Sequence, residues 1–459
     1  MQESEKINDY LEIVRQQIRW KKAHLSVIEE IRNHITDQRD AFIDDGHDED
    51  TATEMAIAEM GDPVIVGEQL DRTHRSRPDW PMLIMTIFLL LLGLSIQFLV
   101  GQDIPNGKEL FTKQVVWTAL AILVLLTAYY LDFTIIGKYP KIIFLGLSIL
   151  AIGSFLFTQG NALYSIYPVL LFPTAFAGFI YSMRSKGYVG IILCGASLFA
   201  PACISRLVPS LTFYFLLCIS CLIVLTAAII KGWFGVNKLY ALSIIYIPTF
   251  FVWAIPYFTN FELNGDKRLQ IVLNPLSEFT GSEFIKTIVK QLLANSQFLG
   301  KGLPVNAPVS GYGNYTGLPI LPEAHTDFLL TYLIYRFGWI VLIVLLAIFV
   351  IFFKYALNIC MRQHSVLGFL SSLAITLTIT IECILYLSWN FGFMIFTPLS
   401  LPLLSYGGRA LIVNIFLIGL LLSVYRTGNL FKDNASIAVR KYNRLICFEN
   451  GKIILNIKD

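Results

Sequence analysis

Charge is what this chain has least of. Only 15% of its 459 residues are Asp, Glu, Lys or Arg, whereas 55% are hydrophobic. A soluble chain of this length carries about a quarter of its residues as charges, so a water-soluble globular protein is excluded. The charges also nearly cancel, to +3, which leaves no basic surface for nucleic acid, and none is expected as a partner. Cysteine is sparse as well. The seven cysteines fall mostly inside apolar runs, as at Cys194, Cys203, Cys218 and Cys221, and read as small apolar fillers. No cleavable leader is expected, because the first 75 residues are polar and the first apolar run is long enough to stay in a bilayer. A nucleotide-phosphate loop is missing too: the Gly-rich GKGLPVNAPVSGYGNYTGLP lacks the GxxxxGK[ST] spacing and opens no helix.

What the chain has instead is long apolar runs. Stretches of the length needed to cross about 30 Å of hydrocarbon as helix lie near 81–101, 114–132, 140–158, 162–182, 187–205, 208–230, 239–257, 327–353, 366–390 and 409–425. They predict an all-α polytopic membrane protein with about ten transmembrane helices. With the N-terminus in the cytoplasm, each inside loop holds two basic residues: Lys138 and Lys141, Arg184 and Lys186, Lys231 and Lys238, Lys354 and Arg362. That bias places both termini inside a cell membrane.

Residues 1–78 are of another kind: polar, charged and helical in period. INDYLEIVRQQI and HLSVIEEIRNHITDQRDAFI repeat apolar residues at three and four, DEDTATEMAIAEM starts with helix-capping residues, and GDPVIVGEQL opens a short helix after Gly61. A small soluble bundle of three or four helices follows. It resembles the prefix domain ahead of some bacterial permease-like membrane proteins, most specifically at MGDPVIVGEQL, which implies an interaction or regulatory role. Residues 79–426 form the transmembrane domain. In the tail 427–459, the Asn-Gly pair of RLICFENGKIILNIKD lies between two β-rich runs and predicts a hairpin. The polar stretch 258–326 is too long for a plain connection and is expected to be a large, functional outside loop. Within it, FIKTIVKQLLANSQFLG sets Ile285, Ile288, Val289 and Leu292 opposite Lys286 and Lys290, an amphipathic helix expected at the membrane surface.

Three ionisable residues, Glu323, His325 and Asp327, crowd the mouth of the run 327–353. Two readings stand: contact with the polar head of a substrate or a divalent ion, or helix capping by Thr326 or Asp327. Glu382 falls inside the run 366–390, where an ionisable group usually faces a cavity or a partner. TPLSLPLLSYGGRAL breaks the helical pattern with Pro398, Pro402, Gly407 and Gly408 and should line a covered site.

PEAHTDF at 322–328, SYGG at 405–408, and Asn274-Pro275 followed by an acid and then Gly281-Ser282 resemble the shape, elongation, division and sporulation (SEDS) family of bacterial membrane proteins. The resemblance covers roughly residues 80–426. It implies ten transmembrane helices, polymerisation of lipid II into peptidoglycan glycan strands, and a class B penicillin-binding protein as partner. The family's catalytic carboxylate, an Asp four positions after the motif's Asn, is matched by Glu278. A basic pair ahead of the motif is matched by Lys267 and Arg268, which implies pyrophosphate binding. Glu323, His325, Asp327, Ser405, Tyr406 and Arg409 are implied to shape the substrate pocket, and Glu382, where the family tends to carry Gln, to line its cavity. No metal ligands are assigned, and a divalent cation remains a candidate cofactor. The chain also departs from the family. The Q-P-S-E motif is absent, with LFPTAF in its region; Tyr335 and Arg336 replace an acidic position; Arg409 stands for Ser or Thr; and Glu283 stands for Gly. The rival readings are a non-catalytic scaffold for a penicillin-binding protein and a lipid flippase or transporter.

Overall fold

The computed structural model describes residues 2–21, 24–74, 78–104, 106–157, 167–198, 211–258, 281–304, 321, 323–394, 399–428, 446–449 and 452–455. Contacts divide the chain into Met1–Pro78 with Arg426–Asn434, and Asp79–Tyr425 with Ala435–Asp459.

The first unit holds four helices, α1 (Gln2–Gln17), α2 (His24–Asp44), α3 (Glu49–Met60) and α4 (Pro63–His74). Apolar residues three and four apart put Ile7, Tyr10, Leu11 and Val14 on one stripe of α1, buried with Ile18 just past its end against Val27, Ile31 and Ile35 of α2 and Ala56 of α3. The helix starts are set by carboxylates. Asp48 accepts from the Thr51 amide at 3.2 Å and Asp62 from the Val64 amide at 2.7 Å, each satisfying an amide that a first helical turn leaves unpaired. Gly61, at φ +82°, ends α3.

The second unit contains α5 (Trp80–Asp103), α6 (Gly107–Tyr130), α7 (Thr134–Lys138), α8 (Pro140–Phe157), α9 (Phe172–Met183), α10 (Gly187–Ser197), α11 (Leu211–Ile230), α12 (Lys238–Phe258), α13 (Gly281–Ala294), α14 (Leu329–Phe337), α15 (Ile340–Met361), α16 (Val366–Asn390) and α17 (Gly408–Thr427). A two-stranded antiparallel hairpin, β1 (Ile446–Glu449) and β2 (Lys452–Leu455), pairs Ile446 with Leu455 and Glu449 with Lys452. Among the described residues, α5, α6, α15, α16 and α17 are long and apolar enough to cross a membrane, and shorter apolar helices lie at Pro140–Leu150 and Phe215–Ile230. Cys218 and Cys221, both on α11, are buried.

Burial separates the hub from the rim. In their most apolar windows α16 and α17 are 72% buried, while α6 and α15 are only 22% buried. The outward faces of α6 and α15 carry Val116, Leu123, Val350 and Leu357, exposed apolar residues suited to lipid. α16 reaches the centre because its faces are small: Ser371, Ser372, Ala374, Thr376 and Thr378 allow neighbours to approach. The Ser372 and Thr376 hydroxyls donate to carbonyls one turn back, at 2.7 and 2.8 Å, so their polarity costs little.

Several expectations change. The run 327–353 is two helices, because the chain breaks at Gly338, φ +97°, between α14 and α15. In the run 162–182, helix covers 167–169 and α9 (Phe172–Met183), and in the run 187–205 α10 ends at Ser197; residues 162–166 and 199–205 lie outside the described residues. The break at Gly338 is held by residues 295–303. The Gly300 and Gly302 amides donate to the Phe337 and Tyr335 carbonyls at 3.0 and 2.7 Å, and the Trp339 and Ile340 amides donate to those of Gln297 and Phe298 at 3.0 and 3.2 Å. α13 is amphipathic, but Ile288, Val289 and Leu292 are buried in the same core as Leu333 of α14. Its apolar face is therefore covered by protein and not by a lipid surface.

Candidate active site

The motif EAHTDF forms a compact turn ahead of α14. Glu323 takes a left-handed conformation, φ +52°, and its carbonyl accepts from the Thr326 and Phe328 amides at 3.0 and 3.3 Å. The Thr326 hydroxyl donates to the Glu323 carboxylate at 3.1 Å. α14 begins after Phe328 with no side-chain cap, so neither Thr326 nor Asp327 serves as the expected cap.

What holds the turn is capture of its backbone carbonyls from three directions. The His325 carbonyl accepts from the Tyr406 amide at 3.0 Å and from Gln97 Nε2 of α5 at 3.2 Å. The Thr326 carbonyl accepts from Ser405 Oγ at 3.1 Å and from the Tyr386 hydroxyl of α16 at 3.3 Å. The Asp327 carbonyl accepts from Asn390 Nδ2 at 3.0 Å. These donors work twice. Gln97 Nε2 also donates to the Leu404 carbonyl at 3.0 Å, Ser405 Oγ accepts from the Leu401 amide at 3.0 Å, and Asn390 Oδ1 accepts from the Thr331 amide at 3.0 Å. Gln97, Tyr386 and Asn390 are all buried, and each carbonyl left unpaired there would cost about 1–3 kcal/mol. The turn is thus fixed largely through its main chain.

The loop 399–407 is seated by close approach. Gly93 of α5 lies where a Cβ would collide with the Leu403 carbonyl oxygen, and Gly408 lies under the Trp117 indole of α6. The Gln114 side-chain oxygen accepts from the Gly407 amide at 3.4 Å. Leu403 itself is left-handed at φ +66°.

Of the expected site residues, the structure brings most together. His325 Nε2 lies 3.6 Å from Glu323 Oε2, and the His325 ring meets Tyr406 edge to face at 5.2 Å. Burial holds the His325 imidazole below its ordinary pKa, opposed by the Glu323 charge. Burial, reinforced by Glu323, pushes the Asp327 carboxyl up to about 6. Tyr167, ahead of α9, lies within electrostatic reach of Glu382, Asp327 and Arg409. Glu382 is fully buried and accepts from Asn414 Nδ2 at 3.2 Å. Arg336, at the end of α14, pairs with Asp103 of α5 at 3.4 Å, and the same carboxylate oxygen accepts from the Tyr332 hydroxyl at 2.6 Å. Glu278, Lys267 and Arg268 lie outside the described residues. Among the described residues, no three His, Cys, Asp or Glu side chains converge as metal ligands.

Sequence reasoning missed Gln97, Gln114, Tyr386, Asn390 and Tyr167. Gln97 alone carried a signal, as an amide inside an otherwise apolar run.

Comparison with known proteins follows the same lines. The family model described as a cell cycle protein, covering FtsW, RodA and SpoVE, matches residues 169–429. A probable peptidoglycan glycosyltransferase FtsW of Trichlorobacter lovleyi is 33% identical over 158 residues, 34% of this chain and 39% of that protein. The peptidoglycan glycosyltransferase MrdB of Escherichia coli K12 is 26% identical over 159 residues, 35% of this chain and 41% of that one. The matched segments thus span about two fifths of those relatives. A chain in a solved peptidoglycan synthase complex, described for the structural coordination of polymerization and crosslinking, shares the fold. Its TM-score is 0.58 at 18% identity, over 78% of this chain and 99% of that one.

Proposed function

The chain belongs to the FtsW, RodA and SpoVE family of cell cycle proteins, and from that premise we propose that it is a peptidoglycan glycosyltransferase extending glycan strands from lipid II at the outer face of a bacterial cell membrane. The observation that carries this reading is the family match over residues 169–429, a span that contains Glu278 and both halves of the candidate pocket, 323–328 and 405–409.

The chemistry needs few groups. A sugar linked to polyprenyl pyrophosphate already has a good leaving group, so the general acid of a glycoside hydrolase can be dispensed with. A base must take the proton of the attacking sugar hydroxyl, and positive charge must meet the departing pyrophosphate. Glu278 is the base in this proposal. Lys267 and Arg268 hold the phosphates in this proposal, and Arg409 adds a third cation at the start of α17, where unpaired amides also favour an anion. His325, held neutral at pH 7 by burial, donates to or accepts from the sugar without adding charge. Ser405 is committed to the Leu401 amide and the Thr326 carbonyl, so its role is to hold the turn. Any divalent cation at the pyrophosphate would take most of its ligands from phosphate and water, with one or two carboxylates such as Glu323 or Asp327. The partner in this reading is a class B penicillin-binding protein, and both termini are cytoplasmic.

The test is polymer formation from lipid II by the purified protein, alone and with a candidate class B partner. Glu278→Gln should lower the rate about 10²–10⁴-fold, the usual worth of a general base, while Glu278→Asp keeps measurable activity. Native protein and Glu278→Asp that both make no polymer with the partner present would refute the enzyme and leave a scaffold.

A further inference from the structure

Inside the two most buried spans, Glu382 of α16 and Asn414 of α17 face each other, both fully buried. They share one hydrogen bond, Asn414 Nδ2 donating to Glu382 Oε1 at 3.2 Å. The two remaining polar atoms of the pair are the puzzle. Among the described residues, neither Glu382 Oε2 nor Asn414 Oδ1 has a hydrogen-bond partner. In an ionised carboxylate facing an amide, both of these atoms are acceptors, and no arrangement lets one serve the other. Two orphaned acceptors beside a buried charge make a costly arrangement, and the described residues supply no Lys, Arg or His that pairs with Glu382. The titratable groups that do feel it are Tyr167, ahead of α9, and Cys383 on its own helix. Neither of them carries positive charge.

A single proton removes the whole difficulty. On Oε2 it turns one orphan into a donor aimed at the other, and the last torsions of both side chains are broad enough to bring Oε2 round to Oδ1. We propose that Glu382 holds a proton and closes a ring of two hydrogen bonds with Asn414, making the pair a neutral, proton-holding latch between α16 and α17. The same two helices bracket the segment 391–407, whose Ser405 and Tyr406 hold the Thr326 and His325 carbonyls. Glu382 is thus a positioning residue for that loop. Glutamine at 382 offers the same donor and acceptor as a protonated carboxyl and keeps the ring; leucine removes both; loss of the proton breaks one bond and leaves a charge inside the bundle.

The test is infrared difference spectroscopy on the full chain in lipid vesicles at neutral pH, native against Glu382→Gln. The expected difference is the carbonyl stretch of a protonated carboxyl, which shifts in Asn414→Leu, with no change in the carboxylate bands. A difference confined to the carboxylate bands means that Glu382 is ionised and paired with a cation or water, and the proposal falls. A second readout is apparent melting temperature, where Glu382→Gln should match the native protein and Glu382→Leu should fall well below it. A glutamine variant as unstable as the leucine variant, or one that does not fold, also overturns the latch, because the ring would then not be what glutamine preserves.

Discussion

His325 and Asp327, two positions apart in one turn, are shifted in opposite directions by one cause. Burial disfavours the charged form of each, lowering the base and raising the acid. The consequences for stability have opposite signs. Asp327 moves from 3.8 to about 6, so between those values the folded protein holds more proton than the unfolded chain, and this group's contribution falls as pH rises through that window. His325 moves below 6.5, so the folded form binds less proton, and its contribution is complete above pH 6.5 and lost as pH falls below it. Apparent melting temperature against pH should therefore lose its acid-side gain in Asp327→Asn and its loss below pH 6.5 in His325→Gln. Gln97 offers a purely structural contrast. Gln97→Leu removes the Leu404 carbonyl's Gln97 donor and leaves the His325 carbonyl with the Tyr406 amide alone, and should cost about 1–3 kcal/mol, with polymer synthesis falling as the turn loosens. The motif residues were legible because few ionisable groups occur in so apolar a chain. Their supporting amides and hydroxyls were not: Asn390 and Tyr386 act on backbone carbonyls some 60 positions away, and a carbonyl leaves no mark in a sequence.

At the scale of elements, composition announces helices well and breaks in them poorly. The run from Asp327 to Phe353 reads as continuous because every residue in it but a few is apolar. Gly338 ends it through a backbone angle and through the space it leaves, since a Cβ there would stand 2.5 Å from the Phe298 carbonyl oxygen. Gly338→Ala should lower stability by roughly 1–3 kcal/mol from backbone strain alone, read as a drop in melting temperature, and more if Phe298 cannot retreat. The pairing of α14 with α5 through Asp103 was invisible for another reason: Arg336 announces a charge in an apolar region but not which distant carboxylate meets it. Asp103→Leu should leave Tyr332 and Arg336 without their common acceptor and lower the melting temperature; Arg336→Lys, which keeps a cation, should lower it less. α13 was recognised as amphipathic from its spacing, while the surface its apolar face covers is fixed only by α14 folding back beside it.

At the scale of the molecule, the two units obey different solvents. The first buries apolar residues such as Val14, Ile31 and Ile35 in its own core; the second presents apolar residues outward on α6 and α15 and buries polar ones such as Gln97, Thr331, Asn390 and Asn414. Both patterns follow from hydropathy period. Residues 1–78 have a core of their own around Val14, Ile35 and Ala56, and the segment expressed alone should give a helical circular dichroism spectrum with a cooperative melt. Ile35→Ala, at a cost of about 2–5 kcal/mol, should remove most of that melt, because a unit this small holds little stability in reserve.

The contact of Gly93 with the Leu403 carbonyl carries its own consequence for heredity. Any single-base missense change at a glycine codon adds atoms beyond Cα, and at this position those atoms would press on the loop that seats Ser405 and Tyr406. Alleles at codon 93 should therefore be lost or conditional even though the residue touches no substrate, and revertants that keep the new side chain should carry their second change within 399–407.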